Sequence, residues 1–113
     1  MNVEVRIRDL ESTDELLEHA VREAHLHLSR FGQDVTSVVV RLSDVNGPKG
    51  GVDKRCHVTV RGPRFGSSTR EALSGDARSS LDAAIAQTAR AVGRELERTR
   101  TQRNRGRSLR RAS

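Results

Sequence analysis

Arg90, Arg94 and Arg98 recur every fourth residue in a stretch that reads as helix, so three guanidinium groups stand in one row about 6 Å apart. Like charges at this spacing repel by a few tenths of a kcal/mol, so the row weakens its own helix unless an anion occupies it. Successive phosphates of a nucleic-acid strand are such an anion, and Arg100 extends the basic run. Glu95 and Glu97 flank the row without interrupting it. The competing reading is a plain solvated helix face. A second basic cluster comprises Lys49, Lys54, Arg55 and Arg61. Alternation puts Arg55, His57, Thr59 and Arg61 on one side of a strand, away from Cys56, Val58 and Val60. That side could touch phosphate too, or serve only as a charged face that resists aggregation.

Catalytic chemistry finds no comparable support. Gly47-Pro48-Lys49-Gly50-Gly51 lacks the Gly-Lys-Ser/Thr ending of a phosphate loop and precedes a strand instead of a helix. His19, His25 and His27 are not three or four residues apart, and Cys56 and His57 point to opposite strand faces, so no metal site is expected. Nucleophile, base and orienting group do not occur together, so neither an enzyme nor a cofactor is expected.

The chain has 113 residues, 34% hydrophobic and 32% charged, with a net charge of +6. This is the length of one domain. Leu, Ile, Val and Phe together number 26, just above the level at which chains stay disordered, so the core must be small. The only aromatics are Phe31 and Phe65, which argues against a protein that reads nucleic acid by stacking bases on rings. No stretch is apolar enough to span a membrane, and the first thirty residues are acidic and amphipathic, unlike a signal peptide. A cytoplasmic protein is expected. Its one cysteine, Cys56, reads as a small buried hydrophobe. Residues 1–43 carry net −3, 44–75 net +3 and 76–113 net +6, which places the polyanion-binding capacity in the second half.

The elements that must position these groups follow from periodicity. Val3, Val5 and Ile7 alternate with charged residues, predicting a strand over about 3–8. A helix is predicted over about 13–31, capped by Ser12 or Thr13 and stopped at Gly32, with Leu26 opposite its apolar side. Strands follow at about 35–42 and 53–61, joined by a long-tipped hairpin, and a weaker one at 65–72. Leu81, Ala84, Ile85, Thr88, Val92 and Leu96 stripe a last helix that runs from Gly75-Asp76 to about Thr101. Seven arginines and no acids from Arg98 onward describe a disordered basic tail, 102–113, after a domain at 1–101. The fold class is α+β, ordered β-α-β-β-β-α, with both helices on one face of a four-stranded sheet.

With that order in hand, the chain resembles the ribosome hibernation promoting factor and ribosome-associated inhibitor family, also called sigma-54 modulation proteins, in a short form. The resemblance covers about residues 2–101. It rests on Leu28-Ser29-Arg30-Phe31-Gly32, on the hairpin from Leu42-Ser43-Asp44-Val45-Asn46-Gly47 to Asp53-Lys54-Arg55-Cys56, and on Asp82-Ala83-Ala84-Ile85. Arg30 stands where an aromatic is common in the family, and the tail is unusually rich in arginine. The resemblance implies a fold like the double-stranded-RNA-binding domain. It also implies a partner, the small ribosomal subunit and its rRNA, bound in the mRNA and tRNA channel during stress or stationary phase. Arg90, Arg94, Arg98 and Arg100 match the family's basic rRNA contacts on the last helix. The resulting expectation is a translation inhibitor that acts by occlusion, with no small-molecule substrate or membrane partner, monomeric when free of the ribosome. The alternatives are a general double-stranded-RNA binder and a protein-interaction module that modulates transcription.

Overall fold

The computed structural model describes residues 1–45 and 53–112, with side chains through residue 102. The expected hairpin tip, including Lys49, lies outside the described residues. The chain forms β1 (Asn2–Arg8), α1 (Asp14–Leu28), a 3-10 segment (Ser29–Asp34), β2 (Ser37–Asp44), β3 (Lys54–Gly62), β4 (Gly66–Ser74) and α2 (Ala77–Ala112). The sheet order is β1-β2-β3-β4. β1 runs parallel to β2, and the other two pairings are antiparallel.

Period-two alternation gives the sheet one apolar side. Val3, Val5 and Ile7 lie beside Val38, Val40 and Leu42, which face Val60, Val58 and Cys56. The helices cover this side. Ala20, Ala24 and Leu28 of α1 and Leu81, Ala84, Ile85, Ala89 and Val92 of α2 join the strand residues in one buried cluster. Leu26, opposite the α1 stripe, is 69% exposed.

Thr13 caps α1, its Oγ1 accepting from Leu16 N at 3.1 Å. The helix ends earlier than the predicted Phe31, and the chain continues as the 3-10 segment, where Gly32 adopts φ 56°. Asp76 opens α2: its carboxylate accepts from the Ser79 backbone N–H and hydroxyl, both at 3.0 Å. These bonds, led by the backbone one, hold the Asp76 carboxyl below the usual carboxylate range.

At its other end α2 outruns the prediction. It is helical to Ala112, beyond the predicted helix end near Thr101. The physical reason is propagation from a formed helix, which needs no new nucleus and meets no proline here. Among the described residues, no helix is both long and apolar enough to cross a membrane.

The β3–β4 turn locks the strands to the 3-10 segment. Gly62 pairs with Gly66 around a three-residue loop, and Gly66 takes φ 81° as such a loop requires. A Cβ on Gly62 would stand 1.9 Å from the Asp34 carbonyl oxygen. Gly62→Ala is therefore expected to cost about 1–3 kcal/mol or more, the usual price of overpacking. Urea denaturation reads this as a lower midpoint, and an unchanged midpoint would show that β3 can shift aside.

The Asp76 cap makes a second prediction. Because its carboxyl titrates lower in the folded chain, the cap's contribution is present above the unfolded value near ~3.9 and is lost as pH falls through the folded one. Asn can cap but cannot titrate. Asp76→Asn should shrink the stability lost between neutral and strongly acidic pH, measured as urea midpoints, and an unaltered acid loss would refute this.

Candidate nucleic-acid interface

Burial of the α2 stripe decides where its arginines go. Leu81, Ile85, Thr88 and Val92 are wholly buried, and the Thr88 hydroxyl satisfies itself on the Ala84 carbonyl at 2.7 Å. Arg90, Arg94, Arg98 and Arg100 consequently stand exposed on the solvent side. Among the described residues, Arg90 and Arg94 have no ion pair. The glutamates that flank the row are less detached than the sequence suggests. Arg98 bonds Glu95, and Arg100 lies 3.7 Å from Glu97. These are exposed pairs of small worth, so phosphate can displace them at little cost.

The second basic cluster divides. Arg55 and Arg61 lie on the open side of β3, exposed, with only Arg55 near an acid, Glu71 at 3.7 Å. Lys54 is on the other side. Its Nζ bonds Asp53 at 2.8 Å and Asp44 at 3.1 Å, leaving its side chain 20% exposed. Asp53 is fully buried, and Lys54 is the cation that neutralises it. The bond to Asp53 raises the Lys54 ammonium above the usual lysine range against a smaller desolvation effect, and Asp44 adds to the rise. Lys54 is thus committed within the protein, which separates it from Arg55 and Arg61.

Strand register reveals basic residues that linear reading does not connect. On the open face Arg6, Arg41 and His57 form one cross-strand row, and Arg8, Ser43 and Arg55 form the next. Arg6 is held by Glu4 at 3.0 Å, whereas Arg8, Arg41 and Arg61 have no ion pair among the described residues. Like charges on directly opposed strand positions are unfavourable without a counter-charge. The open sheet face is therefore a second anion-attracting surface, on the far side of the sheet from α2. Only the parallel pairing of β1 with β2 brings Arg6 and Arg8 to it.

One cluster does have the composition of a metal site. Ligand atoms of His19, Glu23 and Asp82 lie within 4.8 Å of one another. The His19 ring already has protein partners on both nitrogens: Nε2 is 2.7 Å from Asp82 Oδ1, and Nδ1 is 3.2 Å from the Arg78 guanidinium. These two contacts tie α1 to α2 through the His19 ring. Spacing within α1 cannot connect His19 to these partners, because they lie on α2. Cys56 is buried, and desolvation, with Asp82 adding, pushes its thiol up to about 12, so it stays protonated and unreactive.

Residues 3–104 match the family model described as sigma 54 modulation protein / S30EA ribosomal protein. Two solved structures are similar. The N-terminal domain of Protein Y from Thermus thermophilus has 26% identity and a TM-score of 0.68, covering 83% of this chain and 98% of that one. A ribosomal subunit interface protein from Coxiella burnetii has 12% identity and a TM-score of 0.70, covering 86% and 99%, and it supports the fold alone. No curated protein matches the chain in sequence.

The division of the basic residues makes a prediction. Lys54→Met leaves the buried Asp53 without its cation, whereas Arg90→Met removes an exposed charge that has no ion pair among the described residues. Lys54→Met should clearly lower the urea midpoint and Arg90→Met leave it nearly unchanged. Equal effects would place Lys54 with the exposed cations.

Proposed function

Since the chain belongs to the sigma 54 modulation protein / S30EA ribosomal protein family, we propose that it is a ribosome-associated modulation factor that binds RNA and catalyses no reaction. The RNA is the small-subunit rRNA lining the channel for mRNA and tRNA. The protein acts in the cytoplasm under stress or in stationary phase, as a monomer when free, and halts translation by filling that channel. The observation that carries this reading is the row of exposed arginines on α2, in which Arg90 and Arg94 have no counter-ion among the described residues. Buried apolar residues on the opposite side of the helix fix its direction.

The arginines of the open sheet face, Arg41, Arg55 and Arg61 among them, serve as a second contact region, and Lys49 adds a further positive charge to the binding. Residues 102–113 act as a basic arm that adds affinity without specificity, because arginines facing phosphate read charge and not sequence. Shape then supplies the selectivity. A body with one charged helix row and one charged sheet face fits a cleft with phosphate on two walls better than it fits a lone duplex.

Co-sedimentation with isolated ribosomal subunits tests the proposal. The protein should pellet with the small subunit at moderate salt and not with the large one. Binding should weaken with log salt at a slope of roughly 0.7 to 0.9 per phosphate contacted. Arg90→Glu with Arg94→Glu should abolish pelleting and leave the fold intact by circular dichroism. Failure of the unaltered protein to pellet with the small subunit would overturn the reading. Equal affinity for any RNA duplex would replace it with a general duplex binder.

A further inference from the structure

α2 carries a glycine where helix formation gains nothing from one. Gly93 sits mid-helix between Arg90 and Arg98, a position where glycine is the poorest residue after proline. Crowding within the protein does not demand it. A Cβ there would approach nothing closer than Phe31 Cζ at 3.7 Å and Cε1 at 3.8 Å, which is ordinary contact. Gly93 lines a cleft of about 410 Å³ between α2, the 3-10 segment and the β3–β4 turn. This volume is within the ~300–1,000 Å³ of small-molecule sites.

The cleft walls have two chemistries. Phe31 and Leu96 supply apolar surface, and Arg30 covers one face of the Phe31 ring at 4.7 Å, leaving the ring edge toward Gly93. Arg64 and Arg100 supply positive charge. Both are only loosely engaged: Arg64 is 3.5 Å from Asp34, and Arg100 is 3.7 Å from Glu97. The Arg64 Nε is buried without a hydrogen-bond partner among the described residues. Asp34 and Glu97 also line the cleft and can accept from the N–H groups of a base. Apolar surface, cations and carboxylates within one small cleft match the three parts of a nucleotide, and the exposed arginine row begins beside it.

We propose that this cleft takes one unpaired RNA nucleotide, its base lying on the α2 backbone at Gly93 against the Phe31 edge and its phosphate against Arg64 and Arg100. The inference rests on the RNA-binding reading and sharpens it, because a duplex offers no free base to enter. The arginine row then holds the strand on either side, and the cleft discriminates single-stranded from paired RNA. A single pocketed base also needs only one ring, which accords with a chain holding two aromatics in all.

Gly93→Ala and Gly93→Leu test this, since alanine leaves most of the cleft open and leucine fills it. Both should retain or raise the melting temperature. Binding is measured by fluorescence anisotropy to a labelled single-stranded hexanucleotide and to a blunt RNA duplex. Gly93→Leu should lose roughly tenfold or more in affinity for the single strand, the loss typical of one base contact, with little change for the duplex. Arg90→Glu with Arg94→Glu should lose both. An unchanged single-strand affinity in a folded Gly93→Leu would overturn the cleft while leaving the ribosome reading intact. No RNA binding by the unaltered protein would sink both. Photocrosslinking of the unaltered protein to RNA carrying 5-iodocytidine needs no variant: the crosslink should map to Phe31, and crosslinks confined to other segments would overturn the proposal.

Discussion

Everything the surface can do depends on one buried seam, where the α2 stripe meets the apolar side of the sheet. Leu81, Ile85, Thr88 and Val92 have no exposed area, and they lie against a layer built from Val38, Val40, Val58 and Val60. With about 3.6 residues per turn, fixing that stripe inward leaves no freedom in where Arg90, Arg94 and Arg98 point. The repulsion within the arginine row is a few tenths of a kcal/mol per pair, whereas burying each Leu, Ile or Val side chain is worth about 1.5–3 kcal/mol. Packing outweighs repulsion by a wide margin. The chain can therefore display exposed cations in register without losing the helix that displays them.

The sheet obeys the same logic through parity. Every second residue of β1, β2 and β3 is committed to the core, so the residues between them must face outward whatever their charge. Five arginines fall on outward positions: Arg6, Arg8, Arg41, Arg55 and Arg61. Against them the described open face holds Glu4 and Glu71. The first third of the chain is net acidic in sequence, yet its strand residues add to a basic face, because its acids are concentrated on and around α1. Net charge along the chain and charge over a surface are different quantities, and pairing converts one into the other.

This separates what periodicity could read from what it could not. Each strand and each helix was legible, as were the inward faces and the α2 arginine row, because those depend on spacing within one element. Lys54 shows the limit. Its neighbour Arg55 invites grouping by proximity, but alternation puts Lys54 on the Cys56 side, where the buried Asp53 and Asp44 of the paired strand receive it. The His19 partners Asp82 and Arg78 lie on α2, about sixty positions away, and no local pattern connects them. The same holds for the cleft at Gly93, which exists only because the 3-10 segment and the β3–β4 turn both pack beside α2.

The fold also distributes rigidity in a way that suits a partner made of phosphate. Gly62 packed under the Asp34 carbonyl and Thr99 bonding the Arg64 carbonyl at 3.4 Å tie the β3–β4 turn, the 3-10 segment and α2 into one corner. Arg64 and Arg100 belong to that corner, so their backbones are placed before any ligand arrives. Beyond it, Arg98 makes only a weak exposed pair, with Glu95. A rigid corner favours shape-specific contact, since little ordering entropy remains to be lost there. Exposed guanidinium groups on long side chains, carried by a fixed helix, suit phosphates whose exact spacing varies. Specificity and tolerance are thus assigned to different parts of one small domain, the first by packing around α2 and the second by the charge it displays.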